Sequence, residues 1–452
     1  MFQNQKFAAH LTPVLTSQPA WSEVWASSPL GSSDLQFEQA TNVLEAANVT
    51  FAPALNEDLA ATALWGTQQA NLHGEGKYDG VFGIWYGKGP GVDRTGDVFR
   101  HANLAGTADK GGVLALMGDD HGGESSTVCH QSEYAMMDVM IPVLNPANLE
   151  EMVDFGLHGW ALSRFASVWC GIKCVKDNIE STASVTLTPD SFHSHLPNDF
   201  EMPMGGLNIR RADHRHDQEQ RLHAHKMRAV NAYVRANKLD RVTVSGGQTP
   251  RFGIVSTGKA YMDVVQALAD LGIDARAAEK LGLSVYKIGM SWPVEPEGLK
   301  AFASGLTDIL VVEEKRGLLE SQVKEILYNT AQPPSVFGKR DLEGARLLTE
   351  EGSITSMEVA RAIAAKLLPA EVRSASLNKR LAEIDTALMR EFAPLSVTRA
   401  PYFCAGCPHN SSTVLPEGTR GYAGIGCHWM AQLMDRDVEG FTHMGGEGAN
   451  WI

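Results

Sequence analysis

The sequence predicts an α/β protein built from more than one doubly wound, parallel-sheet unit. Short apolar runs bounded by glycine alternate with amphipathic helical stretches. The strand–helix–strand order occurs twice, once in each half of the chain, and such an order implies right-handed crossovers and a parallel sheet. A length of 452 residues leaves room for roughly three domains, and 44% hydrophobic with 20% charged residues is ordinary globular composition.

In chain order, Phe37 to Asn48 and Glu57 to Gln69 read as helices. Tyr78 to Trp85 is a short apolar, aromatic run and reads as a strand. Gly111 to Gly118 reads as a buried parallel strand bounded by glycines. Asp119-Asp120-His121 follows its carboxyl end, where ligands of open α/β sheets gather. Met140 to Leu144 is another short strand, and Leu149 to Cys174 looks helical throughout. Ser181 to Leu187 is β-rich, and Asp213 to Asn237 reads as one long charged helix. The second α/β unit has strands at Gly253–Gly258, Val285–Gly289 and Asp308–Glu313, with helices at Ala260–Leu271 and Gly317–Leu327. Ser356–Leu368 and Leu377–Phe392 are the helices of a connector, and the last 50 residues open a third unit.

The bulk properties exclude several classes. A net charge of −14 argues against nucleic acid, whose phosphates need clustered cations. No apolar run reaches the roughly 18 residues of a membrane span. Residues Met1 to Ala26 lack the cationic-then-apolar order of a secretory signal. Six cysteines in so long a chain make no disulfide framework, which favours a reducing, cytoplasmic setting. Cys129 reads as a small buried apolar residue, and Cys170 with Cys174 as two core thiols on one helical face.

The strongest local signal is Cys404-Ala405-Gly406-Cys407-Pro408-His409, followed by Gly426-Cys427-His428. A Cys-x2-Cys turn aims two sulfurs at one metal, with Gly406 supplying the turn and Pro408 limiting other conformations. Three readings stay open: an iron–sulfur cluster that needs a fourth cysteine, zinc completed by His409 or His428, and unliganded thiols. His214, His216, His223 and His225 look metal-like, but the arginines crowding them favour a solvated helix face. Gly87-Lys88-Gly89-Pro90-Gly91-Val92-Asp93-Arg94-Thr95-Gly96 is either a structural loop or an active-site lining; it lacks the Gly-Lys-Ser/Thr of a Walker loop. Glu57 opens an apolar helix, where an acid at the positive end stabilises by a few tenths to about 1 kcal/mol. Glu447, between Gly446 and Gly448, offers Mg²⁺ a hard oxygen.

Taken together, the runs Asn56–Gly66, Tyr86–Asp97, Gly118–His121, Val312–Arg316, Cys404–His409 and His443–Gly448 resemble the indolepyruvate ferredoxin oxidoreductases. These belong to the thiamine-diphosphate-dependent 2-oxoacid:ferredoxin oxidoreductases, and the long bacterial fused type is the nearest in pattern. The resemblance implies a divergent segment over residues 1–27 and a pyrimidine-binding thiamine diphosphate domain over 28–150. A connector over 151–249, a transketolase C-terminal-like domain over 250–335 and a helical connector over 336–398 follow. Residues 399–452 match the start of the pyrophosphate-binding domain.

By the same resemblance Glu57 is the carboxylate that hydrogen-bonds the cofactor's aminopyrimidine ring. Gly446, Glu447 and Gly448 bind the diphosphate and its Mg²⁺, and Cys404, Cys407 and Cys427 are three ligands of a [4Fe–4S] cluster. The implied reaction converts an arylpyruvate and CoA to acyl-CoA, with electrons passed to ferredoxin in a homo- or hetero-oligomer. The missing fourth cysteine and second metal ligand lead to the expectation of a truncated product, weak or inactive alone. Two other readings are a non-catalytic partner subunit and a non-oxidative thiamine decarboxylase. Cluster cysteines argue against the latter, because simple decarboxylation moves no single electrons.

Overall fold

In the computed structural model the first half of the chain supplies six strands. They are β1 (Trp21–Ala26), β2 (Val49–Pro53), β3 (Val81–Lys88), β4 (Gly112–Gly118), β5 (Val143–Leu144) and β6 (Cys170–Cys174). They lie side by side, all parallel, in the order β5-β6-β4-β3-β1-β2. Six more strands follow: β7 (Arg241–Val244), β8 (Phe252–Thr257), β9 (Leu283–Ile288), β10 (Met290–Trp292), β11 (Asp308–Val312) and β12 (Ser335–Phe337). Five of these make a second sheet, β12-β11-β8-β9-β7, parallel except for the antiparallel edge strand β7. β10 leaves that sheet and pairs antiparallel with β5, so the first sheet has seven strands. A third, two-stranded parallel sheet joins β13 (Gly421–Ala423) to β14 (Val438–Phe441). The structure describes residues 21–26, 33–124, 126, 128–185, 192–368, 373–391, 400–424 and 426–441. These fall into two units. The larger runs up to His121 and from His130 to Ile384 and holds the first two sheets; the smaller comprises Gly122–Cys129 and the chain from Asp385 onward.

The doubly wound character of the first sheet follows from its strand sequences. Gly-Val-Leu-Ala-Leu-Met-Gly in β4 is apolar on both faces, as a strand covered by helices on both sides must be. Its side chains alternate: Leu114 joins Phe82, Tyr86 and Trp160 on one side, while Val113, Ala115 and Met117 join Trp85, Leu64 and Phe99 on the other. The covering helices include α1 (Glu57–Gln69), α2 (Gly89–Arg94), α3 (Gly96–Ala105), α4 (Glu133–Asp138) and α5 (Leu149–Ala166). Later come α6 (Met227–Asn237), α7 (Gly258–Leu271), α8 (Leu318–Tyr328), α9 (Ser356–Leu367) and α10 (Ala375–Glu391). α1 starts where the Asn56 side chain accepts from the Leu59 amide at 2.9 Å, with Glu57 and Asp58 in its first turn. It buries Ala60, Ala61, Leu64 and Gln68 as one stripe. α9 opens with a capping box between Thr355 and Glu358.

Three expectations change. Cys170 and Cys174 sit on strand β6 rather than on a helix, because α5 ends at Ala166 and Ser167 turns left-handed at φ 55°. Periodicity does not separate a helix from a buried apolar strand directly behind it. Both thiols are buried, and burial pushes each well above the usual thiol range. Within the segment assigned to a divergent start, Trp21–Ala26 forms β1, hydrogen-bonded between β2 and β3. Ser181–Val185 forms no strand, and residues 186–187 lie outside the described set.

The long charged helix is broken by a π-turn at Leu222–Lys226, a feature that often marks functional or strained sites. Lys226 is fully buried and lies 3.4 Å from the carbonyls of Asn103 and Leu104 at the C-terminal end of α3. Cations are favoured at that helix end, although burial lowers the lysine's pKa to about 7.

Among the described residues no helix is long and apolar enough to cross a membrane. Leu64 is wholly enclosed between α1 and the first sheet. Leu64→Ala is therefore expected to lower the unfolding free energy by about 2–5 kcal/mol in denaturant titration; a change below about 0.5 kcal/mol, the range of ordinary surface substitutions, would contradict this packing.

Candidate functional site

Glu57 stands at the first turn of α1, and three contacts hold it. Its backbone carbonyl accepts from the buried Trp85 indole at 3.1 Å. Its Oε2 lies 3.5 Å from Arg94 Nη1, and the same guanidinium reaches Asp58 Oδ1 at 3.2 Å. Its methylene carbons rest on Gly91, where an added Cβ would fall 2.6 Å from Glu57 Cγ. The carboxylate side chain is 14% exposed, so it is largely covered without being sealed off.

The glycine-rich run is therefore not a loop. It is the end of β3 followed by α2 and α3. Its glycines are sites of close approach: Gly91 accommodates Glu57, and at Gly89 a Cβ would fall 2.1 Å from His130 Cγ. His130 Nε2 also meets Asp93 Oδ2 on α2 at 3.1 Å. Thus α2 meets Glu57 through Gly91 and Arg94, and His130 through Gly89 and Asp93.

A second polar centre lies at the carboxyl ends of β4 and β6, where the sequence placed Asp119-Asp120-His121. Asp119 accepts from the Ser132 amide at 2.9 Å and hydroxyl at 2.5 Å. Lys173 on β6 pairs with Glu133 at 2.5 Å and approaches Asp119 at 3.6 Å. From the second sheet, Lys259 bridges Asp263 at 3.0 Å and Glu314 at 3.1 Å. A cavity of about 20 Å³ lies among His121, Glu133, Lys173, Lys259 and Glu314, room for about one water molecule.

His121 is buried, and among the described residues neither ring nitrogen has a hydrogen-bond partner. Burial, reinforced by Lys173, Lys315, Lys259 and Lys339, lowers its pKa to about 2, so the ring is neutral. Burial outweighs the pull of Lys173 on Glu133 and raises that carboxyl's pKa. The sequence reading missed Glu133, Lys173 and Lys259. The signal was Lys173 itself, a cation inside the buried run Cys170–Cys174, which must have a partner.

In the smaller unit the Cys404–Cys407 turn forms as expected. The Cys407 amide donates to the Cys404 carbonyl at 3.0 Å, and Gly406 takes φ 78°. Cys407 Sγ lies 3.3 Å from His409 Nδ1. The His409 ring stacks on Phe403 and on His428, at 5.2 and 5.8 Å between centroids. His428 Nδ1 accepts from the Gly424 amide at 2.7 Å. Cys404 and Cys427 are exposed, and all three thiols are free. Among the described residues no three His, Cys, Asp or Glu side chains gather into a set that could hold a metal. Gly446, Glu447 and Gly448 lie outside the described residues.

Residues 242–391, from β7 to the end of α10, match the family model of the indolepyruvate oxidoreductase domain. The chain is 24% identical over 339 residues to the indolepyruvate oxidoreductase subunit IorA of Methanothermobacter marburgensis, an alignment covering 74% of this chain and 48% of that one. It is 28% identical over 195 residues to the IorA subunit of Thermococcus kodakarensis, covering 42% of this chain and 27% of that one. The chain thus spans about half the length of the first of these relatives. Among solved structures it is similar in fold to 2-oxoglutarate:ferredoxin oxidoreductase from Magnetococcus marinus. That likeness has a TM-score of 0.53 at 14% identity and covers 80% of this chain and 64% of that one.

Two outcomes check the site's geometry. Gly91→Ala drives a methyl into Glu57 and is expected to destabilise by about 1–3 kcal/mol; unchanged thermal unfolding would show that the contact is loose. His121 is neutral in the folded state but takes a proton near pH 6.5 when unfolded, so its contribution is complete above pH 6.5 and falls away as pH drops from there toward about 2. At pH 5 that is roughly 2 kcal/mol. His121→Gln is expected to remove this share of the stability difference between pH 7 and pH 5 in urea unfolding, and identical differences in both proteins would refute it. Residues 242–391 thus match the indolepyruvate oxidoreductase domain, and over 74% of its length the chain is similar, at 24% identity, to an IorA subunit.

Proposed function

We propose that this chain is part of a thiamine-diphosphate-dependent 2-oxoacid:ferredoxin oxidoreductase of the indolepyruvate type. In the assembled enzyme an arylpyruvate is oxidatively decarboxylated, its acyl group passes to CoA and its electrons to ferredoxin. The observation that carries this reading is the seating of Glu57: a largely covered carboxylate at a helix start, fixed by Trp85 and made possible by Gly91.

That seating suits a carboxylate that must hold one proton against a ring nitrogen of the cofactor's aminopyrimidine. Trp85 fixes the backbone of the residue, Gly91 admits its side chain, and Arg94 orients the outer oxygen. Bound thiamine diphosphate supplies the electron sink that decarboxylation of a 2-oxoacid requires. Residues 28–150 are assigned to the pyrimidine-binding domain, 250–335 to the transketolase C-terminal-like domain and 399–452 to the start of the pyrophosphate-binding domain. Gly446, Glu447 and Gly448 are assigned to the diphosphate and its Mg²⁺. Cys404, Cys407 and Cys427 are the family's cluster positions. Among the described residues these thiols are free and belong to no group of three metal-ligating side chains. A cytoplasmic hetero-oligomer is the setting that fits free thiols and a subunit-type relative.

A second reading, a non-catalytic partner subunit, is favoured by the extent of the family match, which covers 242–391 and leaves Glu57 outside. Titration calorimetry separates the two. The chain with Mg²⁺ is expected to bind thiamine diphosphate, and Glu57→Gln to bind it about tenfold or more weakly, the worth of one charge-assisted hydrogen bond. Equal affinities would remove Glu57 from the site. Absence of binding, together with no iron or sulfide in anaerobically purified protein, would favour the partner subunit.

A further inference from the structure

The turn Glu313-Glu314-Lys315-Arg316 follows β11 and divides its side chains between two sheets. Glu313 and Glu314 serve their own sheet's unit. Glu313 accepts from the amides of Leu319 and Glu320 at 2.7 and 2.8 Å, at the start of α8. Glu314 accepts from the Ile354 amide at 3.1 Å. The next two residues reach outward to the first sheet's loops. Lys315 sits at φ 55°, a left-handed conformation uncommon for a side chain of its size, and its Nζ donates to the His121 carbonyl at 2.7 Å. The backbone N–H and Nε of Arg316 both donate to Gln131 Oε1 at 3.2 Å, and the Gln131 amide returns a bond to the Arg316 carbonyl at 3.0 Å. The Arg316 guanidinium also lies 4.1 Å from the centre of the Tyr134 ring.

His121 and His130 are the residues at which the chain leaves the larger unit and re-enters it. Consecutive side chains of one turn therefore hold both ends of the connection between them. From the re-entry point contacts continue to α2: His130 meets Asp93 at 3.1 Å and occupies the space over Gly89. On that helix Gly91 supports Glu57, and Arg94 pairs with it at 3.5 Å. A continuous series of contacts thus runs from the second sheet's turn to the candidate catalytic carboxylate. Such a series can transmit a positional bias.

We propose that Lys315 and Arg316 are positioning residues: they pin residues 121 and 130–134 so that α2 presents Gly91 and Arg94 correctly to Glu57. The second α/β unit thereby acts on a site to which it contributes no residue. The functional meaning of the last contact rests on the reading of Glu57 given above, whereas the clamp itself does not.

Hydrogen–deuterium exchange on the full chain tests the clamp without any cofactor. Arg316 is exposed, so Arg316→Ala should leave the fold intact. Peptides covering 130–134 and 89–94 are expected to exchange roughly tenfold faster, the effect of losing hydrogen bonds to a charged group. Those covering β8 and β11 should be unchanged. Gln131→Ala, which also removes the two bonds to the Arg316 main chain, should produce the same pattern at least as strongly, and the double variant no more than Gln131→Ala alone. Arg316→Lys, which keeps the charge and loses the planar fork, should behave like Arg316→Ala. Unchanged exchange at 130–134 in these variants would overturn the clamp. Faster exchange there with α2 unaffected would overturn its extension to Glu57. In protein that binds thiamine diphosphate, Arg316→Ala should also weaken that binding severalfold. If wild-type protein binds none, the reading of Glu57 fails and the exchange result still decides the clamp.

Discussion

The larger unit depends on a small set of charges buried where its two sheets meet. Lys173 lies on a strand with no exposed residue, and Glu133 and Asp119 pair with its charge there. Removing one member of such a group leaves an uncompensated buried charge, which costs about 3–5 kcal/mol, whereas a surface pair is worth about 0–1. Lys259, reaching Asp263 and Glu314, plays the corresponding part on the second sheet. Hydrophobic packing brings the two sheets together in many relative positions. Paired charges and directional hydrogen bonds accept very few, which is how a polar junction selects one arrangement.

The same junction explains why the loop ends around His121 and His130 are well determined although they lie outside regular secondary structure. His121 is neutral because four lysines and burial exclude a proton. Its carbonyl is taken by Lys315, and on the far side Gln131 is gripped by Arg316. The candidate carboxylate Glu57 is treated differently. It is held by backbone and shape, through Trp85 and Gly91, with one half-exposed arginine at its outer oxygen. That setting leaves one face of the carboxylate open to a further partner, which a fully paired buried carboxylate would lack.

Much of this was legible in the sequence. The helix from Glu57 to Gln69 was marked by its cap, its first-turn acids and its apolar stripe. Strands such as Gly112–Gly118 and Phe252–Thr257 were marked by glycine-bounded apolar runs. The Cys404–Cys407 turn was foreseen from Gly406. The failures have physical causes. Cys170–Cys174 followed a helix without a polar break, so its change of period was hidden. The glycine run was read as a loop because glycine disfavours helices by about 1 kcal/mol each, yet here Gly87, Gly89 and Gly91 make room for the side chains of Trp85, His130 and Glu57 packed over them.

Local sequence by itself determined most element types, the parallel α/β class and the position of Glu57 at a helix start, because caps, periodicity and burial patterns act over a few residues. Tertiary structure alone decided that β10 crosses to the first sheet, that Lys173 meets Glu133, and that Lys315 and Arg316 grip His121 and Gln131. Those partners are separated by 40 to 194 residues in sequence. Pairing at that distance is set by how the two sheets dock, and no local propensity records it.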